Sequence, residues 1–309
     1  MARALRAGAV AVPRRSLFGR DWQLGFLLTA PVMAVLVGLI AYPFISAVLF
    51  SLQDIKVGGQ GRFIGLENYR TLLFGAERAR FFNSVWVSII YTGGALLGKF
   101  VLGLTCALIL NSAIKARNFW RGLLFLPWTI PGVVSAYAWK WIYDDMRGVL
   151  NVQLANLGLI QQPILWLSDI NIAMWALLAA VIWQGTPFWI MTFLAGLQSI
   201  PQELYEAAQI DGASTAQSFL YITLPSLRNV IIVTFMLSSI WTANSVQYVY
   251  ILTQGGPANA TETFPMLALI WGIRSYNIGM GATVPLLFFP IFAIFIYFLS
   301  KRLLQEGEA

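Results

Sequence analysis

The sequence predicts an all-α membrane protein with six transmembrane helices, and three observations predict it. Of 309 residues, 58% are hydrophobic and 11% charged, with a mean hydropathy of +0.71, whereas a soluble domain carries about 25% charged residues. The chain cannot cover itself with polar surface in water, so lipid has to be its solvent. Second, six long apolar runs fall at about 22–49, 82–111, 119–143, 172–197, 227–252 and 279–299, each reaching the ~20 residues a helix needs to cross ~30 Å of hydrocarbon. Third, none of these runs alternates with period two. A backbone in lipid must satisfy its own hydrogen bonds, so they read as helices rather than barrel strands.

The tail over 1–21 holds Arg3, Arg6, Arg14, Arg15 and Arg20, with no acid before Asp21. Six spans put both termini on one side, where Lys115, Arg117, Arg121, Arg228, Lys301 and Arg302 join the tail. The other side holds fewer basic residues, so the positive side, with both termini, is expected in the cytosol. The net charge of +7 then reads as anchoring at the membrane rather than nucleic-acid binding. The first run is too long for the core of a signal peptide, so no cleavage is expected. The rest, 22–309, reads as a single transmembrane domain. Its outer loops, about 50–81, 144–171 and 253–278, are too short for a further domain, and Gly65-Leu66-Glu67-Asn68-Tyr69 opens a short surface helix. Histidine is absent and Cys106 is the one cysteine, which excludes an intrachain disulfide and a Cys/His metal site.

The second span imitates a nucleotide site. Gly93, Gly98 and Lys99 fit a phosphate-loop spacing, but Phe100 stands where Ser or Thr should hold magnesium, and no strand precedes it. Gly94 and Gly98 read instead as small residues for close helix packing. Lys99 is an intramembrane charge with two readings: a side chain that snorkels or bonds a neighbouring helix, or a polar group on a translocation path. None of the 13 acidic residues falls in a span core, which counts against a proton- or sodium-coupled carrier.

Spans three to five mix aromatics with hydrogen-bonding side chains, the pairing that a ligand with hydroxyls and flat apolar faces needs. Ser135 lies on the third, beside Trp128, Tyr137, Trp139 and Trp141. Gln184 and Phe188 share one face of the fourth, and Ser238, Trp241, Thr242 and Ser245 recur at spacings of three and four on the fifth. Pro127, Pro131 and Pro187 are expected to interrupt spans three and four and widen a cavity.

Between spans four and five lies a polar stretch that reads as helix, tight turn, helix over 199–225. Ser199-Ile200-Pro201-Gln202 has the pattern of a helix start, Asp211-Gly212 that of a stop, and Ser214-Thr215-Ala216-Gln217 that of a second start. By periodicity alone it is an amphipathic connector lying on headgroups, or a knob for a soluble partner's cleft.

Glu206-Ala207-Ala208, with Gly212 four residues after the second alanine and Ile222-Thr223-Leu224-Pro225 at the close, resembles the signature of permease subunits of binding-protein-dependent ABC importers. Leu252 to Thr263, through Gly255-Gly256-Pro257, resembles the outer loop of the maltose and glycerol-3-phosphate type of sugar permease, and Phe63 to Tyr69 and Leu126 to Pro131 fit the same group. The resemblance covers almost the whole chain after about Leu24. It implies a type I ABC importer permease fold in a bacterial or archaeal cell membrane, and a non-catalytic subunit of an ATP-driven importer of a sugar, oligosaccharide or sugar-like polyol phosphate. It implies a second permease as the other half of the pathway, an extracytoplasmic binding protein, and a cytosolic ATPase dimer that holds the ATP and magnesium; no cofactor is expected on this chain. Glu206, Ala207, Ala208, Gly212, Leu224 and Pro225 would couple to the ATPase. Counting from Glu-Ala-Ala, Gln184, Phe188, Ser238, Trp241, Thr242 and Ser245 look like the positions lining the sugar site of maltose-type permeases, with Ser135 nearby as a further polar candidate. Several residue types differ from that relative, so location carries over and substrate does not. The alternative class is a secondary carrier or channel acting without an ATPase.

Overall fold

The computed structural model describes residues 22–306; the basic tail over 1–21 lies outside them. In chain order the elements are α1 (Trp22–Ser51), β1 (Gln53–Asp54), β2 (Arg62–Phe63), α2 (Glu67–Leu73), α3 (Arg78–Asn111), α4 (Arg117–Thr129), α5 (Gly132–Ile142), α6 (Val149–Asn156) and α7 (Ala173–Gln198). There follow α8 (Gln202–Ile210), α9 (215–226, with a π turn at Phe219–Thr223), α10 (Arg228–Asn244), α11 (Gln247–Leu252), α12 (Phe264–Arg274) and α13 (Ile278–Glu306). Among the described residues, α1, α3, α7, α10 with α11, and α13 are long and apolar enough to cross a membrane, and α4 with α5 makes a sixth segment bent by 94°.

Contacts divide the chain into two units after Leu49. The first contributes most of α1, apolar all round, with no buried residue over Trp22–Leu36; uniform apolarity is what a lipid-facing helix requires. The second unit, from Phe50 on, holds every other element. In it the loop after α1 closes as a two-residue antiparallel ribbon of β1 and β2, which period-two reading could not detect at that length. Asn68 Nδ2 donates to the carbonyls of Ser51 (2.8 Å) and Gln53 (3.0 Å) and ties the expected short helix α2 to that ribbon.

The third apolar run is broken. Ile130 is extended ahead of Pro131, as the ring of a following proline demands. The other two prolines act differently from expectation: Pro127 lies inside α4 and Pro187 inside α7, with helix on both sides. A second break has no proline. α10 stops at Asn244, Ser245 turns extended, and the helix resumes at Gln247. The loop over 253–278 also holds more than expected: Thr263-Phe264-Pro265 starts the apolar helix α12, whose Phe264, Met266 and Leu267 are buried. Proline is well tolerated in a first turn, and the helix is too short to register as a span.

α3 and α7 form the tightest pair. A Cβ added to Gly94 would lie 3.0 Å from Leu178 Cδ1, one at Gly98 would strike Ile182, and one at Gly103 would lie 2.6 Å from Trp189 Cβ. The small residues therefore let the two backbones approach, as read from the sequence. Two apolar clusters build on this pair. One gathers Tyr91, Leu177, Val181, Tyr248 and Met266; the other gathers Leu104, Leu110, Trp189, Phe193, Leu197 and Leu227.

Candidate functional site

A cavity of 260 Å³ opens among α3, α4, α5, α7, α10 and α11. Both helix breaks face it. At the first, Gly132 lines the cavity beside Trp128, and Gln184 Nε2 donates to Ile130 O at 3.0 Å. That bond satisfies a carbonyl freed where the helical ladder stops, which lipid would not. At the second, the extended Ser245 brings Gln247 and Tyr248 to the wall. The Tyr248 hydroxyl bridges Ser135 Oγ (2.7 Å) and Gln184 Oε1 (3.1 Å).

One wall is aromatic. Trp128 stacks on Phe188 with ring centroids 5.5 Å apart and 21° between planes, and Trp241 meets Phe188 edge-on at 5.2 Å. The cavity region also carries polar groups. Lys99 Nζ donates to Thr242 Oγ1 at 2.9 Å, and Trp189 Nε1 donates to Ser238 Oγ at 3.1 Å. Tyr91 also lines the cavity, and its buried hydroxyl has no hydrogen-bond partner among the described residues. Aromatic faces with a few convergent hydrogen-bonding groups suit a ligand bearing C–H faces and hydroxyls.

The sequence expectations fare unevenly here. Gln184, Phe188, Ser238, Trp241, Thr242 and Ser245 all line the cavity. Ser135 does not; it is buried behind Tyr248, holding that phenol from the far side. Lys99 does not snorkel and sits in no phosphate loop: the Gly93–Lys99 stretch is continuous helix, and its ammonium bonds a neighbouring helix within the cavity wall. Tyr91 was missed, although it precedes Lys99 by two i,i+4 steps on one helix. Gln247 and Tyr248 carry no local signal, since nothing in Asn244-Ser245-Val246 marks a helix break.

The connector between α7 and α10 lies at the Leu108 end of α3, away from the Arg80 end. Ser199 does not cap α8. Its hydroxyl donates to Gly196 O at 2.8 Å, closing α7, and Pro201 precedes the first turn of α8 instead. Gly212 turns the chain at φ +77°, a conformation open to glycine at little cost, and Ala213 N donates to Ala208 O at 2.8 Å in the closure typical of a glycine-ended helix. The second start forms a full capping box: Ser214 N donates to Gln217 Oε1 (2.7 Å) and Gln217 N to Ser214 Oγ (3.3 Å). The helix it starts runs past Pro225 to Ser226. Tyr205 and Thr223 hydroxyls meet at 2.9 Å and tie the two arms. Glu206, Ala207 and Pro225 are exposed, Ala208 and Leu224 half-buried, and Ile210 at the tip is 86% exposed.

Apolar spans around a polar, aromatic-walled cavity define a multi-pass membrane permease. The chain belongs to the family of binding-protein-dependent transport system inner membrane components, whose model matches residues 99–307. It is accordingly a non-catalytic ABC transporter subunit. It is 36% identical over 267 residues to the trehalose/maltose transport system permease protein MalF of Thermococcus litoralis, covering 86% of this chain and 89% of that one. It is 31% identical over 273 residues to the sulfoquinovosyl glycerol transport system permease protein SmoG of Agrobacterium fabrum, covering 88% and 87%. Its fold is similar to a chain of a bacterial ABC transporter involved in import of the acidic polysaccharide alginate, with TM-score 0.78, 22% identity, and 93% and 96% of the two chains covered.

Proposed function

We propose that this chain is the membrane subunit of an ATP-driven carbohydrate importer in a bacterial or archaeal cell membrane, and that it forms half of the translocation pathway beside a second permease. The observation that carries the carbohydrate reading is the cavity, lined by stacked Trp128 and Phe188, with Trp241 edge-on, together with Gln184, Thr242 and Tyr248. Flat rings cover the C–H faces of a sugar ring and the amide and hydroxyls meet its hydroxyls. The names of the relatives, which transport trehalose/maltose and sulfoquinovosyl glycerol, agree with that class.

In this reading 22–309 is one membrane domain and 199–225 its docking segment, in the cytosol with both termini. A partner ATPase dimer binds ATP and magnesium and takes the Glu206–Gly212 elbow into a surface cleft, Glu206 pairing with a basic residue there. ATP-driven closure of the ATPases then levers α7 and α10 through the elbow and turns the cavity from one side of the membrane to the other. An extracytoplasmic binding protein delivers substrate to the opposite face. A carrier or channel acting alone has no use for an exposed, rigidly capped elbow and is disfavoured.

The test is purification of the tagged chain from its native membrane. A second permease and an ATPase should accompany it, and a carbohydrate with the binding protein should stimulate ATP hydrolysis. Transport by the chain alone in liposomes without ATP overturns the reading. Trp241→Ala should alter uptake rate or substrate preference while the complex still assembles; unchanged transport argues against this cavity as the substrate site.

A further inference from the structure

Among the described residues the cavity holds one charge, and none of them supplies its counter-charge. Lys99 is 5% exposed and lines the cavity. Its ammonium has three N–H donors, and among the described residues only Thr242 Oγ1 accepts one, at 2.9 Å. No Asp or Glu lines the cavity, and none occurs anywhere in α3, α4, α5, α7, α10 or α11. A buried charge is ordinarily paired, because desolvation without a partner is costly. The fold nonetheless makes room for this one. Any Cβ at position 185 would collide with the Lys99 stem, whose Nζ would lie 2.9 Å from it. The bare backbone of Gly185, itself a lining residue, thus fixes the path by which the ammonium reaches the cavity.

A second orphan shares the space. Tyr91, 1% exposed, lines the same cavity, and its buried hydroxyl has no hydrogen-bond partner among the described residues. Tyr91 and Lys99 stand eight residues apart on one helix, about 12 Å along its axis at ~1.5 Å per residue. Buried polar groups left unsatisfied by the protein are where a ligand's complementary groups are expected. Two N–H donors of a cation call for an anion, since a charge-assisted bond is stronger than a neutral one; the phenol calls for a hydroxyl.

Resting on the carbohydrate reading above, we infer that the substrate is an acidic sugar, whose carboxylate, sulfonate or phosphate pairs with Lys99 while a hydroxyl further along the chain reaches Tyr91. A neutral sugar would leave the ammonium uncompensated in the same cavity. Lys99 is then the residue that sets substrate charge, and the aromatic wall accepts sugar rings in general.

The experiment is equilibrium binding of radiolabelled sugars to the purified importer complex in lipid nanodiscs, without the binding protein. The probes are cellobiouronic acid against cellobiose, and glucose 6-phosphate against glucose. The complex should prefer the acidic member of at least one pair by about tenfold or more, as a charge-assisted bond predicts. Lys99→Gln should bring that ratio to about one by weakening the acidic sugar alone, and Lys99→Arg should keep the preference. Equal binding of acidic and neutral sugars by the unaltered complex overturns the inference and leaves the carbohydrate reading standing. Binding of no sugar of either kind overturns both. A preference that persists in Lys99→Gln assigns anion recognition elsewhere and also overturns it. If Lys99→Gln does not assemble, equal binding by the unaltered complex still overturns the inference, and Lys99→Met in its place tests whether the preference resides at Lys99.

Discussion

Two polar, glycine-bearing connectors interrupt the apolar runs, and the structure treats them in opposite ways. The stretch over 253–263 is drawn into the bundle at the Arg80 end of α3. Its Glu262 is 1% exposed and takes a bidentate pair from Arg80, Nε to Oε1 at 2.9 Å and Nη2 to Oε2 at 2.7 Å. Asn83 Nδ2 donates to Asn259 O (3.0 Å), and Phe264 N donates to Ser88 Oγ (2.8 Å). The stretch over 199–225, at the other end, keeps Glu206 exposed, and that acid has neither hydrogen bond nor ion pair among the described residues. Its polar contacts are local, a glycine turn, a capping box and one hydroxyl contact between its arms, while Ile200 and Phe219 pack against the bundle. A connector whose acid is used up inside the chain is part of the scaffold. One whose acid is held out, on a rigid frame, is left available to another molecule.

The contrast is most easily broken at the buried pair. Arg80→Ala leaves Glu262 buried without its partner, a change that costs ~3–5 kcal/mol in fully buried pairs; with the Arg80 side chain 31% exposed, the lower end of that range is expected. Thermal unfolding of the detergent-purified protein reads it, and a melting temperature equal to the unaltered chain's would show that the loop is not held by this pair. Glu206→Lys should do the reverse. It alters an exposed residue, so stability should move by no more than about 0.5 kcal/mol, while ATPase co-purification and uptake are lost. Gly212→Pro belongs between these two, since proline can neither take φ +77° nor donate the bond from Gly212 N to Gln209 O; it should distort the elbow and uncouple uptake with the spans intact. Normal uptake in both elbow variants would remove the docking role. The smallest effect is expected for Tyr205→Phe, which deletes the contact to Thr223 Oγ1 and should cost about 1 kcal/mol, seen as faster amide exchange in the elbow rather than a change in global unfolding.

Much of this molecule was legible because its signals are local. Lipid as solvent forces long apolar helices, so hydropathy alone located the spans. Proline's hold on its predecessor accounts for the break at Pro131, whereas Pro127 and Pro187 lie within continuous helix. Gly212 and the Ser214–Gln217 box could be read off four-residue patterns, whereas Ser199 could not: its hydroxyl found the nearer carbonyl of the helix behind it.

By itself, then, the sequence determined which segments form apolar helices long enough to cross a membrane, where the elbow bends, and which faces of α7 and α10 carry polar side chains, since each of these depends on residues a few positions apart. Only the tertiary structure decided that α10 ends at Asn244, that Tyr91, Tyr248 and Lys99 meet one cavity, and that Glu262 is buried on Arg80. Those outcomes depend on partners up to 182 residues apart, whose approach is set by helix packing across glycines and leaves no mark on the local pattern of either residue.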